Sequence, residues 1–388
     1  MTTTWRQLIV MKSLPAEYRA LRSLSPEDAK AVTPLIQLWD RKPTAGVEEG
    51  EQDPDEFESG EAGFFDQQPI WADGQAQPVW KRLRNGLFTK TRGSWGKEQA
   101  ILLDGEWLDD PDAFTTIIAN CRAAGMQVVP VTGLDRSTAY ERVVVDAAAS
   151  DRGGLVVRLR PSDFVGGSTA LHEGLDALLA PVKLGPAGVD LLIDLGCLND
   201  AFLERDERNA ESMVRALPYL DDWRNLAIIG SGTPREVTES RFKRDEITPY
   251  RRLEWLLWKE LLARRTHIGR LPIYGDYGVI HPDRVEPIGE PKSLPRIPKI
   301  SYASGDEMLM IRGHDLRSAG DDGQFGVLLD LLKENGAWPG PEFSEGDAWF
   351  ERAARGVDTP GDWGTWKWAG QVHLLTHTSQ QLASLLGS

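Results

Sequence analysis

Eight short, almost uninterrupted apolar runs recur along the chain, and they define its predicted strands. They are QLIVMK (7–12), TPLIQL (33–38), QAILLD (99–104), QVVPVT (127–132), LVVRLR (155–160), DLLIDL (190–195), LAIIG (226–230) and LPIYGD (271–276). Parallel strands that are covered on both faces read as continuous apolar runs, without the alternation of half-exposed strands. The pattern therefore predicts a parallel sheet that is buried between other layers.

Amphipathic stretches separate these runs. AEYRALRSL, DAFTTIIANCRAAG, AYERVVVDAAAS, HEGLDALLAPV and TPYRRLEWLLWKELLARR each repeat apolar residues at helical spacing. Strands and helices in alternation, joined by right-handed crossovers, predict a parallel α/β fold. Eight strands favour closure into a (β/α)8 barrel of the TIM type, and an open doubly wound sheet is the alternative. We expect one such barrel domain over residues 1–388.

Two segments interrupt the alternation. Residues 44–78 are acidic, rich in Gly and Pro and poor in β-branched residues, which predicts a flexible insertion after the second strand. Residues 295–313 contain two alternating runs around Ser304-Gly305-Asp306, which predicts an added β-hairpin over one end of the barrel. The domain plan is thus a barrel with two insertions.

Composition narrows the functional classes. The formal net charge of the 388 residues is -15, which disfavours nonspecific attraction to DNA or to an anionic membrane surface. Only two cysteines occur, Cys121 and Cys197, too few for a disulfide framework. Neither a signal peptide nor a run long enough to span a membrane is evident. We expect a cytoplasmic protein that does not bind membranes.

Charged residues end several of the apolar runs. The active residues of (β/α)8 barrels lie at the carboxyl ends of the strands, where this sequence has Lys12, Arg158, Asp194 and Asp276. Lys12 and Arg158 would bind an anion, and Asp194 and Asp276 would act as catalytic acid and base or bind a divalent metal. A structural ring of ion pairs that closes the barrel is the alternative interpretation.

Two further segments suit an anionic ligand. GSGTPRE (230–236) follows the seventh strand, where barrels often bind phosphate, so Gly232 and Arg235 are candidate ligand-binding residues. Its alternative is a tight turn that needs glycine. Arg312, in the hairpin, would clamp a carboxylate or phosphate, and a structural salt bridge is the alternative.

Histidine and cysteine patterns indicate little metal or thiol chemistry. His373 and His377 share one helix face at a spacing that suits zinc, but no third ligand is evident, and a packed pair is the preferred interpretation. Neither cysteine lies in a C-x-x-C motif or beside an evident histidine, which argues against a nucleophilic thiol. Walker loops, G-x-S-x-G elbows and kinase motifs are absent from the sequence.

Several segments carry a family resemblance. The opening LIVMKSLPAEYRALRSLSPEDAKAVTPLIQL has a strand ending in Lys12, a helix with E-x-x-A-L-x-x-L at 17–24, and a strand starting T-P-L-I at 33–36. PIYGDYG, EMLMIRG and WGTWKWAGQVHLLTHTSQQL follow in order. This set resembles the beta protein family of tailed phages and bacteria. The resemblance implies a part in phage–host conflict but no mechanism, and Val372 stands where members often carry the first of two histidines.

The sequence supports two functional hypotheses of different classes. In the first, a polar barrel mouth binds a phosphate-bearing small molecule or a nucleic-acid end, as a sensor or as a hydrolase of a phosphate ester. In the second, the barrel is a non-catalytic scaffold, and the acidic insertion with Trp363, Trp366 and Trp368 contacts a partner or phage protein. Charged strand ends that meet in an open cleft favour the first hypothesis, and sealed pairs favour the second.

Overall fold

The computed structural model describes most of the chain outside the acidic insertion. The described residues are 5–39, 83, 86–87, 95, 99–108, 110–151, 153–238, 240–283, 297–316 and 323–387. The flexible insertion predicted at 44–78 lies outside them. Within the described part, no helix is both long enough and apolar enough to cross a membrane.

Eight parallel strands close into a barrel, which confirms the predicted fold class. They are β1 (Gln7–Met11), β2 (Val32–Trp39), β3 (Ile101–Trp107), β4 (Val128–Thr132), β5 (Leu155–Leu159), β6 (Val189–Cys197), β7 (Leu226–Ser231) and β9 (Ile273–Asp276). Neighbours pair in chain order, and pairing of β1 with β9 closes the ring. Each strand coincides with one of the eight apolar runs.

Helices follow the strands and cover the outside of the barrel. They are α1 (Pro15–Ser23), α2 (Pro26–Ala31), α3 (Pro111–Ala123), α4 (Thr138–Asp151), α5 (Gly167–Leu179), α6 (Leu203–Ala216), α7 (Leu253–Ala263) and α8 (Arg265–Ile268). Proline at the first helical turn and acidic residues beside it mark several starts, as expected from helix capping. Their apolar faces and the outward-facing strand residues form the largest hydrophobic core.

A second sheet, antiparallel and three-stranded, joins the barrel. β10 (Lys299–Ser304) and β11 (Glu307–Arg312) form the predicted hairpin, and β8 (Ile247–Arg251) pairs with β11 at the sheet edge. The helix predicted from Thr248 therefore begins only at Leu253. Pro249 explains the difference, because proline lacks the amide donor that a helix interior requires but is accepted on an edge strand.

The C-terminal helices pack on this sheet and make a separate apolar cluster. They are α9 (Gln324–Glu334), α10 (Glu345–Ala354) and α11 (Trp363–Leu386). Trp363, Trp366 and Trp368 are 6, 1 and 3 % exposed and belong to this cluster. Gly370 lets α11 approach β10, because a Cβ there would lie 2.4 Å from the Ser301 carbonyl oxygen. The three tryptophans are thus core residues.

The barrel interior has an apolar lower part. Side chains from β1 to β7, together with Tyr277 just after β9, form one apolar cluster inside the barrel. Its members include Leu8, Val10, Leu35, Leu102, Val129, Val131, Val156, Leu192, Ala227, Ile229 and Tyr277. Alternate residues of a strand face the same side. Residues two positions beyond Leu35, Leu102, Val156 and Leu192 therefore also face inward, nearer the carboxyl ends. All four of these are polar, and they form the floor of the barrel mouth.

Candidate functional site

The floor of the mouth is a layer of buried polar side chains. Gln37, Asp104, Arg158 and Asp194 supply it from β2, β3, β5 and β6, and Tyr277 closes it from the loop after β9. All four strand residues are at most 5 % exposed. The layer combines one cation with two carboxylates in the interior of the fold, where unpaired charges are costly.

Arg158 lies at the centre of this layer and bonds to every other member. Its Nε and Nη2 donate to Oδ2 of Asp194 at 2.9 and 2.5 Å, and Nη1 donates to Oδ2 of Asp104 at 2.6 Å. The Tyr277 hydroxyl accepts from Nη2 at 2.8 Å and donates to Asp194 at 2.7 Å. The Gln37 amide oxygen, turned to the guanidinium, accepts from Nη1 at 2.9 Å.

Burial and ion pairing act in opposite directions on the pKa of the arginine in this layer. Burial by itself would lower the pKa of Arg158, but Tyr277, Asp194 and Asp104 raise it well above its usual value. Burial also raises the pKa of the Tyr277 hydroxyl, so it remains a hydrogen-bond donor. Arg158 is therefore a fixed cation whose donors are occupied by protein acceptors, and an added anion would have to displace one of them.

A second cluster of charged side chains lies at the rim of the mouth, beyond this layer at the carboxyl ends of the strands. Arg160 reaches up from the end of β5 and pairs with Glu106 and Asp135. Arg136 pairs with Glu106 at 2.5 Å and lies 3.5 Å from Asp104 in the floor. These guanidinium groups outweigh the effect of burial and lower the pKa of Glu106. Arg160 is the more accessible cation, since its side chain is 33 % exposed.

Lys12 stands at the end of β1 on another part of the rim. The Glu17 carboxylate accepts from the amides of Lys12 at 3.0 Å and Leu14 at 2.9 Å, which ties the end of β1 to the first turn of α1. The Lys12 carbonyl accepts from the Trp39 indole at 2.6 Å, and its ammonium lies 5.5 Å from the centre of the Trp107 ring. Lys12 is thus held in place by both its backbone and its side chain.

Cys197, His281 and Asp283 form a further cluster at the mouth. Sγ of Cys197, at the end of β6, lies 3.3 Å from Nε2 of His281 and 3.1 Å from Oδ2 of Asp283. Burial and Asp283 raise the pKa of the Cys197 thiol to about 12, while the Lys12 charge opposes this. The thiol is therefore protonated at neutral pH, which argues against a free thiolate nucleophile.

Asp276 does not join the floor, because it faces the other side of its strand. It shares that side with Tyr274, whose hydroxyl donates to it at 2.7 Å, and it accepts from the Gly278 amide at 2.8 Å. Burial raises its pKa. Glu254 of α7 lies nearby, and burial together with the Asp276 charge raises its pKa to about 7, against the opposing charge of Arg252. Asp276 thus belongs to a carboxyl pair between barrel and helix.

The family model of Beta protein matches residues 9–380. The chain belongs to the Beta protein family. The match spans the barrel, the second sheet and most of the C-terminal helices, so it covers all the elements that position the mouth. No curated protein and no solved structure matches the chain.

Three other sequence-predicted residues of this Beta protein family member lie apart from the floor. The Gly232 amide donates to Glu254 at 2.8 Å, so its N–H is already engaged. Arg235 is exposed on the same loop. Arg312 is buried in the second sheet, where it donates to the Phe242 carbonyl at 3.1 Å and so holds the loop after β7. Of the seven residues selected from the sequence, the structure bonds Arg158 to Asp194 and places Lys12 at the same end.

The two C-terminal histidines form a packed pair. His373 donates from Nε2 to the Ala303 carbonyl and has Nδ1 2.9 Å from the Asp347 carboxylate. Nε2 of His377 accepts from the Gly305 amide at 3.2 Å, and burial lowers the pKa of His377 to about 3. Since these nitrogens bond within the protein, the pair fastens α11 to the second sheet and does not form a metal site.

Sequence reasoning missed several members of the mouth. Gln37 and Tyr277 are ordinary residues in apolar contexts, and only the strand parity of the closed barrel places them beside Arg158. Cys197 and His281 are 84 positions apart, so no local motif joins them. A signal was nevertheless present, because Cys197 ends β6 and His281 lies in the loop after β9, and such positions gather at one rim of a barrel.

Proposed function

We propose that this Beta protein family member acts in phage–host conflict through its barrel mouth, which binds a phosphate-bearing ligand or a nucleic-acid end. The observation that carries this proposal is the partly exposed Arg160, which stands over the buried polar layer formed by Gln37, Asp104, Arg158, Asp194 and Tyr277. Buried ion pairs contribute little net stability compared with apolar residues of the same volume. A polar layer under the carboxyl-terminal mouth of a barrel is therefore better explained by a ligand site than by folding.

The rim supplies the groups that would contact such a ligand. Arg160 is partly exposed, and its present partners Glu106 and Asp135 are carboxylates that a phosphate could replace as acceptors. Lys12 adds a second cation at the end of β1. In this proposal Arg158 does not bind the anion directly. Its role is to fix the floor on which the rim residues stand, because its donors are occupied by Asp104, Asp194 and Tyr277.

The scaffold hypothesis has less support in the described part of the chain. It assigned partner contacts to Trp363, Trp366 and Trp368, and all three are buried in the C-terminal core. The paired state of the floor, which would favour a scaffold, is offset by the accessible Arg160 directly above it. The mouth therefore remains the better candidate for the working surface.

Equilibrium binding of a 5′-phosphorylated single-stranded DNA oligonucleotide tests the ligand class. The full chain is compared with its Arg160→Gln variant, and Arg264→Gln is a matched control. Arg264 is also partly exposed and also paired with two carboxylates, Glu211 and Glu260, but lies on the helical surface. We expect binding of the phosphorylated probe to the full chain and to R264Q, and a loss of about tenfold or more in R160Q.

The same oligonucleotide without its phosphate and inorganic phosphate alone identify the recognised group. Equal binding of the phosphorylated and unphosphorylated probes would contradict a phosphate site. An equal loss in R160Q and R264Q would show that only overall charge matters, and would also contradict the proposal.

A further inference from the structure

Cys197, His281 and Asp283 bring three different donor atoms to one point at the edge of the barrel mouth. Cys197 ends β6, whereas His281 and Asp283 lie in the loop after β9, with β7 between the two strands. One sulfur, one ring nitrogen and one carboxylate oxygen lie within 4.8 Å of one another. Their approach therefore depends on closure of the barrel and not on chain proximity.

The two separations from the Cys197 sulfur are close to those around a tetrahedral metal ion. Zn–S bonds of about 2.3 Å and Zn–N or Zn–O bonds of about 2.0–2.1 Å place two donors about 3.3–3.6 Å apart at a tetrahedral angle. Sγ of Cys197 lies 3.3 Å from Nε2 of His281 and 3.1 Å from Oδ2 of Asp283. Movements of a few tenths of an ångström would bring these two separations to the tetrahedral values, and the third pair of donor atoms lies within 4.8 Å.

We propose that Cys197, His281 and Asp283 form a binding site for a borderline transition-metal ion such as zinc. The mixed set of thiolate, imidazole and carboxylate suits zinc better than magnesium or calcium, which prefer oxygen ligands alone. Three protein ligands leave the fourth position for water or a substrate, as in catalytic zinc sites. Cys197 and Asp283 are exposed, so this position opens to the mouth.

Metal binding changes the protons of the cluster in a defined way. Nδ1 of His281 accepts from the Asp283 amide at 3.0 Å, so Nε2 carries the ring proton and directs it at Sγ. The thiol in turn donates to the Asp283 carboxylate. When Nε2 and Sγ bind the metal, the ring proton moves to Nδ1, the Asp283 amide turns away, and the thiol proton leaves for solvent. Binding thus releases about one proton per ion.

The surroundings of the cluster suit this assignment. His281 is 8 % exposed, so the surrounding protein holds its ring in place, whereas Cys197 and Asp283 are exposed. The site is distinct from the Arg158 floor, and it does not depend on the phosphate ligand proposed above.

Titration of the metal-stripped full chain with Co²⁺ tests the proposal, because cobalt reports its ligands by absorption. We expect a thiolate-to-cobalt charge-transfer band that saturates at one ion per chain, is reversed by Zn²⁺, and accompanies release of about one proton. Cys121→Ser, at the buried second cysteine, is the control and should keep the band. Cys197→Ser and His281→Gln should abolish it, and Asp283→Asn should weaken binding of the ion by about tenfold or more.

Two outcomes would overturn the site. One is a full chain that gives no charge-transfer band at saturating Co²⁺. The other is a band that persists in Cys197→Ser or that disappears equally in Cys121→Ser. Circular dichroism of each variant establishes that it is folded, and Asp283→Asn, at an exposed position, keeps the test decisive if another variant unfolds. Because the readout is metal binding, failure here leaves the phosphate proposal standing, and failure of that proposal leaves this one.

Discussion

Two buried ion-pair groups occupy opposite ends of the same barrel, and both use β6. Asp190 and Asp194 are four residues apart on that strand and face the same side. At the amino-terminal end, Arg224 donates to both oxygens of Asp190 at 2.7 and 2.6 Å and to the Gly153 carbonyl. At the carboxyl-terminal end, Arg158 is shared between Asp194 and Asp104.

The two ends differ in whether their positive and negative charges are equal in number. Arg224 and Asp190 form a single bidentate pair, supplemented by the Asn225 amide, so the charges cancel locally. Arg158 faces two carboxylates, and the surplus negative charge is shared with Arg136 at the rim. In barrels of this type the amino-terminal face serves stability and the carboxyl-terminal face serves activity. The unequal arrangement at the mouth fits the second role.

Removing the central arginine at each end should have the largest effect and should separate the two groups. Arg158→Met leaves two buried carboxylates without their main partner, so we expect a loss of about 3–5 kcal/mol in the free energy of unfolding. Arg224→Met leaves Asp190 with the Asn225 amide, and because the Arg224 side chain is 17 % exposed, water can take its place, so we expect a loss of about 1–3 kcal/mol. Urea denaturation measures both, and equal losses would contradict the comparison.

Removing one hydroxyl from the floor should have a smaller effect. Tyr277→Phe keeps the ring in the barrel interior but deletes the group that bridges Arg158 and Asp194. Because a buried donor and acceptor each lose a partner, we expect a loss of about 1–3 kcal/mol. The same denaturation experiment applies, and a variant as stable as the parent chain would show that the bridge is dispensable.

The buried carboxyl group of Glu254 should make the stability of the folded chain depend on pH. Its folded pKa of about 7 lies above its unfolded value, so its stabilising contribution is complete at low pH and is lost as pH rises through 7. The chain should lose stability between about pH 4.5 and 7, by at most about 1.4 kcal/mol per pH unit from this group, and this loss should level off above pH 7. Glu254→Gln still accepts from the Gly232 amide and should flatten the profile. Melting temperatures of the parent chain and of Glu254→Gln, measured across this pH range, test the prediction. The same pH dependence of stability in both proteins would contradict a raised pKa for Glu254.

Removing one member of an exposed ion pair should cause the smallest loss of stability. Arg251 and Asp200 lie 2.7 Å apart, and their side chains are 48 and 63 % exposed. Solvent screening should limit the effect of Asp200→Asn to less than about 1 kcal/mol. If this variant were as unstable as Arg158→Met, burial would not be the property that distinguishes the floor.

Much of this architecture could be predicted from the sequence, because a barrel strand has to be apolar on both faces. The same property conceals which side each strand residue faces. Arg158 and Asp194 were placed correctly at strand ends, but Asp276 faces outward with Tyr274, and the apolar run LPIYGD carries no alternation that reveals this. β8 was missed because TPYRR precedes a strongly helical segment, and its strand form depends on pairing with the distant β11.

The central claim is that the carboxyl-terminal mouth is the working end, and phage plating on cells producing paired double variants tests it most directly. Arg158→Met/Asp194→Asn removes the charge pair while Asp104 keeps Arg136, so no buried charge is left alone. Arg224→Met/Asp190→Asn is the matched change at the other end. We expect the parent chain and the second variant to reduce plating alike, and the first variant, although folded, to lose that effect. Protection that is retained by both variants, or lost equally by both while they remain folded, would contradict the account.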